Sequence, residues 1–239
     1  MTKVDAIEKV LEDNGGSASL QVIYNNIEKY YPAAKESKNW AAGLRGVLYR
    51  ELYFGNRFKK IGLSIYALSD YHVERINKFT KVRRHSLMEG ICIELGNYQD
   101  YDTFTADPSV IYRDNTFLGH IASISDIPQF SYSEIVNQVK YIDVLWFNKS
   151  KLAFPKFAFE IVDSIGTLNS ALNRCIQLHD FRTKFYIVAP EEHRSKYNQT
   201  MELEIYRQRN DLFEFLPYDI LMNSYERLVN DNGNLNWLR

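Results

Sequence analysis

Apolar residues recur at helical spacing three times near the start of the chain. Ile7, Val10 and Leu11 share one stripe and predict a helix over 5–14. Asn14-Gly15-Gly16 stops it, because glycine takes the left-handed conformation at little cost. After a short link over 17–20, Val22, Ile23 and Ile27 predict a second helix over 20–31, closed by Pro32. Trp40, Leu44, Val47, Leu48 and Leu52 predict a third over 39–53, ended by Gly55-Asn56. The period then changes to alternation over 57–61 and 63–68, on either side of Gly62, which predicts the two strands of a hairpin.

The pattern farther along is different. Met88, Ile91, Cys92 and Leu95 form the apolar face of a helix expected over 73–96, with Gly96-Asn97 as its cap. A strand is expected over 98–105, and loops with short elements over 106–133. Two near-continuous apolar runs follow, YIDVLWF over 141–147 and FAFEIV over 157–162, which read as strands buried on both faces. Leu168, Leu172, Cys175 and either Leu178 or Ile176 predict a helix over 167–181. KFYIV over 184–188 is a further buried strand stopped by Pro190. The helix between the last two strands is a crossover, so those strands should run parallel. A helix over 191–209, a strand over 213–216 and a short helix near 225–229 complete an α/β (α+β) order.

Composition adds bounds. At 239 residues, with 45% hydrophobic and 25% charged residues, the chain has material for one large or two modest domains and is not disordered. It has no apolar run of the roughly 18–20 residues that span a bilayer, and its opening residues do not read as a signal peptide. A cytoplasmic protein with no membrane partner is the expectation. Cys92 and Cys175 lack metal-ligand spacing and read as small core residues. The net charge of −1 conceals an asymmetry: residues 1–85 carry +6 and the remainder −7. Lys35, Lys38, Arg45, Arg50, Arg57, Lys59 and Lys60 crowd into 35–60 against only Glu36 and Glu51. Two modules are therefore expected, over 1–71 and 72–239, the first facing a polyanion.

Asp143 and Glu160 each interrupt an apolar strand. A buried carboxylate costs several kcal/mol unless something positive compensates it. Adjacent strands lie roughly 5 Å apart, so the two acids can converge on one divalent ion, Mg²⁺ or Mn²⁺. Alternatively, each acid pairs with a Lys or Arg. His85, His179 and His193 have no ligand spacing with one another and read as surface or helix-terminal residues.

The spacing of Asp143 and Glu160, the helix after them and the run YIVAP over 186–190 resemble the PD-(D/E)XK nuclease superfamily, in its restriction-endonuclease type. The resemblance covers about residues 85–225 and implies an αβββαβ core. It places metal-ligand roles on Asp143 and Glu160, with the backbone near Ile161 completing the site. It also implies an acid from the opening helix, Glu89 with Glu94 in reserve. Two residues after the glutamate the superfamily has Lys, or Glu in closer relatives; this chain has Val162. Val can neither position water nor offset charge at phosphorus. Arg174 or Gln177 on the next helix, or Asp163 through a bulge, are the candidates to replace it. The remaining alternative is a catalytically dead site.

Three helices and a hairpin are the order of a winged helix-turn-helix, and the front module resembles winged-helix domains fused to restriction enzymes. That resemblance puts Lys38, Asn39, Arg45 and Arg50 near DNA and Arg57, Lys59 and Lys60 on phosphates. Arg45 and Arg50 are five apart and share a helical face poorly, so at least one of them is expected on phosphate or in an internal ion pair. The leading expectation is a Mg²⁺-dependent, sequence-specific double-stranded DNA endonuclease of the type II restriction kind, a hydrolase acting as a homodimer. The rival is a DNA-binding regulator or assembly protein with a degenerate nuclease fold.

Overall fold

Thr2 starts the first helix by a reciprocal cap: its hydroxyl accepts from the Asp5 amide at 3.2 Å, and the Asp5 carboxylate accepts from the Thr2 amide at 2.9 Å. The computed structural model describes residues 1–71, 84–113, 116–231 and 238. Helix α1 (Lys3–Asp13) is followed by β1 (Ser17–Ser19), α2 (Leu20–Asn26), α3 (Trp40–Phe54), β2 (Phe58–Lys60) and β3 (Ile65–Leu68). The expected three helices and hairpin are present. The segment expected as a plain link is instead a strand: Ser17–Ser19 pairs antiparallel with β3, giving a three-stranded sheet of order β1-β3-β2. Ile7, Val10, Leu11, Ile23, Ile27, Leu44, Leu48, Phe58 and Tyr66 fill the core of this part.

The second part begins with α4 (Arg84–Tyr98); the start of the helix expected from residue 73 lies outside the described residues. Then come β4 (Asp102–Thr105), β5 (Ile111–Arg113), β6 (Thr116–Phe117), α5 (Leu118–Ile121) and α6 (Ser133–Val139). β7 (Val144–Phe147), β8 (Pro155–Ile161), α7 (Leu168–Cys175), β9 (Lys184–Ala189), α8 (Arg194–Met201), α9 (Glu204–Arg207), β10 (Phe213–Pro217) and α10 (Tyr218–Asp231) complete the chain. Five strands form a mixed sheet of order β10-β9-β8-β7-β4. β8 and β9 are parallel, as the crossover through α7 requires, and β7 runs antiparallel to both β4 and β8.

Alternation along the strands sends two sets of side chains to opposite faces. Val144, Trp146, Phe159, Ile161, Tyr186 and Val188 pack on α4 and α10; Leu145, Phe147, Ala158, Val162, Phe185 and Ile187 pack on α7 and α8. Helix α4 is buried all round from Ser86 to Gly96, which is the signature of a central helix.

Several boundaries move, each for a local reason. α4 runs past Gly96, which is not a cap. A Cβ there would meet Thr103 Cγ2 at 2.5 Å and Trp146 Nε1 at 2.6 Å, so glycine is required by close packing. The expected helix over 167–181 is α7 plus a tighter 3₁₀ segment, Ile176–Phe181. The helix over 191–209 is divided into short pieces, and the final helix begins seven residues earlier than expected, at Tyr218. Residues 141–143 lie ahead of β7, so Asp143 stands at the mouth of its strand and not within it. Among the described residues no helix is long and apolar enough to cross a membrane.

Candidate active site

The site lies where the N-terminal end of α4 meets the start of β7 and the end of β8. His85 and Glu89 are one helical turn apart on α4, so they share a face. His85 stands partly exposed at the mouth and Glu89 is wholly buried behind it. Asp143, just ahead of β7, accepts the Ile161 amide on its Oδ2 at 2.7 Å. That bond sets the carboxylate toward α4. His85 Nε2 lies 3.6 Å from Asp143 Oδ2 and 3.9 Å from Glu89 Oε1. His85 Nδ1 lies 3.4 Å from Asp163 Oδ2, and the other Asp163 oxygen accepts from the Tyr218 hydroxyl at 2.6 Å. Ligand atoms of His85, Glu89 and Asp143 all fall within 4.8 Å of one another.

The electrostatics of this corner are those of acids deprived of water. Neither carboxylate oxygen of Glu89 has a hydrogen-bond partner among the described residues. Burial, reinforced by Asp143, Asp107, Glu160 and Asp163, pushes its pKa up to about 9. Burial also raises Asp143, against the opposing pull of His85 and the Ile161 amide. Glu160 is pushed up to about 8 by burial, although the Arg174 guanidinium pulls the other way. Such a group of raised, buried carboxyls is costly unless a cation or a proton joins it.

A divalent cation fits what is present. Two carboxylates and an imidazole are a mixed oxygen and nitrogen donor set, suited to Mn²⁺ and, through the oxygens, to Mg²⁺. The Glu89 oxygens, with no hydrogen-bond partner among the described residues, are free to ligate a cation once the group gives up its proton. The Asp163–Tyr218 pair behind His85 has the arrangement that orients ligating imidazoles, with a carboxylate on the far ring nitrogen.

Glu89 and Asp143 are brought together in this corner. Glu160 grips Arg174: the guanidinium Nε donates to Oε1 at 2.6 Å and Nη2 donates to Oε2. Ile161 contributes its amide, to Asp143. Val162 is buried in the apolar layer under α7. Gln177 is exposed and donates to the Asn173 carbonyl at 3.2 Å. Asp163 reaches the site through His85. Glu94, a turn and a half farther along α4, accepts hairpin amides instead. His85 was missed in the sequence because its partner Asp143 is 58 positions away; only Glu89, four residues on, gives a local hint.

On the front part, Lys38, Asn39, Arg45 and Arg50 are all exposed on or just before α3. Arg57 is paired with Asp5 at 2.9 Å and Glu8 at 3.1 Å. The Lys59 ammonium donates to the carbonyls of Ser69, at 3.1 Å, and Tyr71. Lys60 is half-buried, and that burial lowers its pKa. Cys92 and Cys175 are buried free thiols.

Searches of curated proteins and of solved structures returned no match. The family model of the type II restriction enzyme NmeDI C-terminal domain matches residues 68–232, which holds α4, the whole five-stranded sheet, and all of His85, Glu89, Asp143, Glu160 and Arg174. A match over more than half of the sequence, centred on the buried acid cluster, makes this chain a member of the NmeDI C-terminal domain family of type II restriction enzymes.

Proposed function

We propose that the protein is a divalent-metal-dependent endonuclease acting on duplex DNA, with its reaction centre at His85, Glu89 and Asp143. The observation that carries this reading is the buried Glu89 carboxyl, with no hydrogen-bond partner among the described residues, facing Asp143 and His85 in a restriction-enzyme family member. The order α4, β4, β7, β8, α7, β9 supports the αβββαβ nuclease core, with Asp143 and Glu160 at the positions the superfamily resemblance implies.

His85, Glu89 and Asp143 would hold Mn²⁺ or Mg²⁺. When bound, such an ion draws charge from a scissile phosphate and lowers the pKa of water. The Ile161 amide fixes the Asp143 carboxylate. Asp163 and Tyr218 fix the His85 ring. Glu160 acts on the trio through its charge, with both of its oxygens held by Arg174. Arg174, clamped on Glu160 and partly open to solvent, supplies the positive charge that Val162 does not.

The front module is read as a winged helix, supported by its element order and its β1-β3-β2 sheet. Lys38 and Asn39, just before α3, and Arg45 and Arg50, on it, are the exposed residues read as facing DNA. The two Arg lie on different sides of the helix, so Asn39 and Arg45 are read on base edges and Lys38 and Arg50 on phosphates. A duplex cut needs two reaction centres, which a symmetric homodimer provides.

The test is cleavage of methylated and unmethylated duplex with Mn²⁺ or Mg²⁺ at low salt. Wild type should cut, and Asp143→Ala should abolish cutting with DNA affinity within about twofold. A wild-type protein that binds duplex and cuts neither substrate with either ion would sink the nuclease reading and favour a DNA-binding regulator, which the apolar packing of Val162 also favours.

A further inference from the structure

The turn between β2 and β3 is not a free loop. Ile61, Leu63 and Ile65 leave the front core and join the apolar cluster around α4, with Leu63 and Ile65 buried there. Around them lies a buried polar network. Glu94 Oε2 accepts the Leu63 amide at 2.6 Å and the Ser64 amide at 3.4 Å. The same carboxylate accepts the hydroxyls of Tyr112 and Tyr225, the latter at 2.9 Å. Arg113 donates to the Ile61 carbonyl at 2.5 Å and to those two hydroxyls at 2.9 and 3.1 Å. One anion and one cation, joined through two tyrosines, thus hold both the donors and an acceptor of one turn. Gly62 fits against them without room for a side chain: a Cβ would meet Glu94 Oε2 at 2.8 Å, Tyr225 Oη at 2.9 Å and Arg113 Nη1 at 3.3 Å. A second tie lies nearby, where the Ser19 hydroxyl donates to the His120 carbonyl at 2.7 Å.

A buried charged network adds little net stability compared with apolar packing, because desolvation offsets the attraction; its best-attested use is to fix one registration against others. Glu94 sits on the same rigid helix as His85 and Glu89. We propose that Glu94 and Arg113 are positioning residues that lock the hairpin, and with it the front module, in one registration on α4, so that duplex held by α3 is presented to the acid cluster at a fixed place. The hairpin then works as a strut within the molecule and its tip is not a groove-reading wing. The consequence for cleavage rests on the nuclease reading above; the lock does not.

The test uses the full chain with Phe54→Cys and Leu203→Cys, two exposed positions on the two parts, spin-labelled for distance measurement while the native thiols stay buried. Wild type should give one narrow distance. Glu94→Gln offers a single acceptor oxygen and brings an extra donor, so the distribution should broaden at least twofold. Gly62→Ala reaches the same network from the hairpin side without changing charge, and keeps the question open to test should Glu94→Gln fail to fold. Duplex affinity should stay within twofold in both variants, while the single-turnover cleavage rate falls at least tenfold and cut positions scatter. A broad wild-type distribution, or a wild-type width in both variants, overturns the lock. Affinity lost in step with rate overturns the positioning role, because the hairpin would then contact DNA itself. A wild type with a narrow distance but no cleavage on any duplex sinks the nuclease reading and leaves the lock standing.

Discussion

Glu89→Gln is the most direct probe of the acid cluster. The side chain is wholly buried, neither oxygen has a hydrogen-bond partner among the described residues, and its pKa is pushed from 4.5 to about 9. A carboxyl raised in the native state holds its proton there but loses it in the unfolded chain. The native state therefore binds more protons, and its stability falls as pH rises between those two values. One pKa unit corresponds to about 1.4 kcal/mol, so from pH 6 to pH 8 this group removes roughly 2–3 kcal/mol from the metal-free wild type. Gln has the same shape and does not titrate, so the variant lacks this slope. Its unsatisfied amide adds a constant offset, which is why the pH dependence of the difference is decisive. Denaturant unfolding of both proteins in chelator at pH 6 and pH 8 measures it: the variant should gain roughly 2–3 kcal/mol on wild type across that span. Adding Mn²⁺ should then stabilise wild type more at pH 8 than at pH 6, because ligation needs the deprotonated acid, and should leave the variant nearly unmoved. A stability difference that does not change with pH would mean that Glu89 is hydrated or ionised, and the argument for a cation there would fail.

Arg174→Ala should cost about 3 kcal/mol by leaving Glu160 buried and unpaired, and Arg174→Ala with Glu160→Gln should recover most of it; a thermodynamic cycle by chemical denaturation reads the coupling. Replacing Lys38 and Arg50 with Gln should flatten the salt dependence of duplex binding by about two units of slope, one per lost phosphate contact, as measured by anisotropy titrations at several salt concentrations. Lys59→Gln should change that slope little, since its ammonium is held by main-chain carbonyls. Gly96→Ala should destabilise by about 1–3 kcal/mol through overlap with Thr103 and Trp146, followed by the thermal shift in tryptophan fluorescence.

The order of the elements was readable because long apolar runs can only be buried strands and because a crossover helix fixes the direction of its two strands; β8 and β9 obey this. Asp143 and Glu160 stood out as acids among apolar neighbours, and Glu89 followed only from the family resemblance; Asp143 stands ahead of its strand, with one oxygen on a neighbouring amide. What was not readable came from long-range packing. Ser17–Ser19 is three small residues with no apolar pattern, and it is a strand only because β3 pairs with it. Gly96 looked like a helix stop, but its meaning lies in Trp146, fifty residues later. The role of His85 depends on carboxylates from two other elements. The alternation of Leu63 and Ile65 says that they are covered, not which core covers them.

That last ambiguity has a structural outcome. Along β3, Ile65 feeds the layer beside α4 while Tyr66 feeds the core of the first three helices. Successive residues of one short strand thus belong to two separate interiors. Inserting or deleting a single residue between Lys60 and Ile65 would exchange these allegiances, driving a tyrosine into one interior and withdrawing it from the other. A change of two residues would keep the parity but detach the turn from Glu94. The length of this segment is therefore among the least negotiable properties of the chain, whatever residues occupy it.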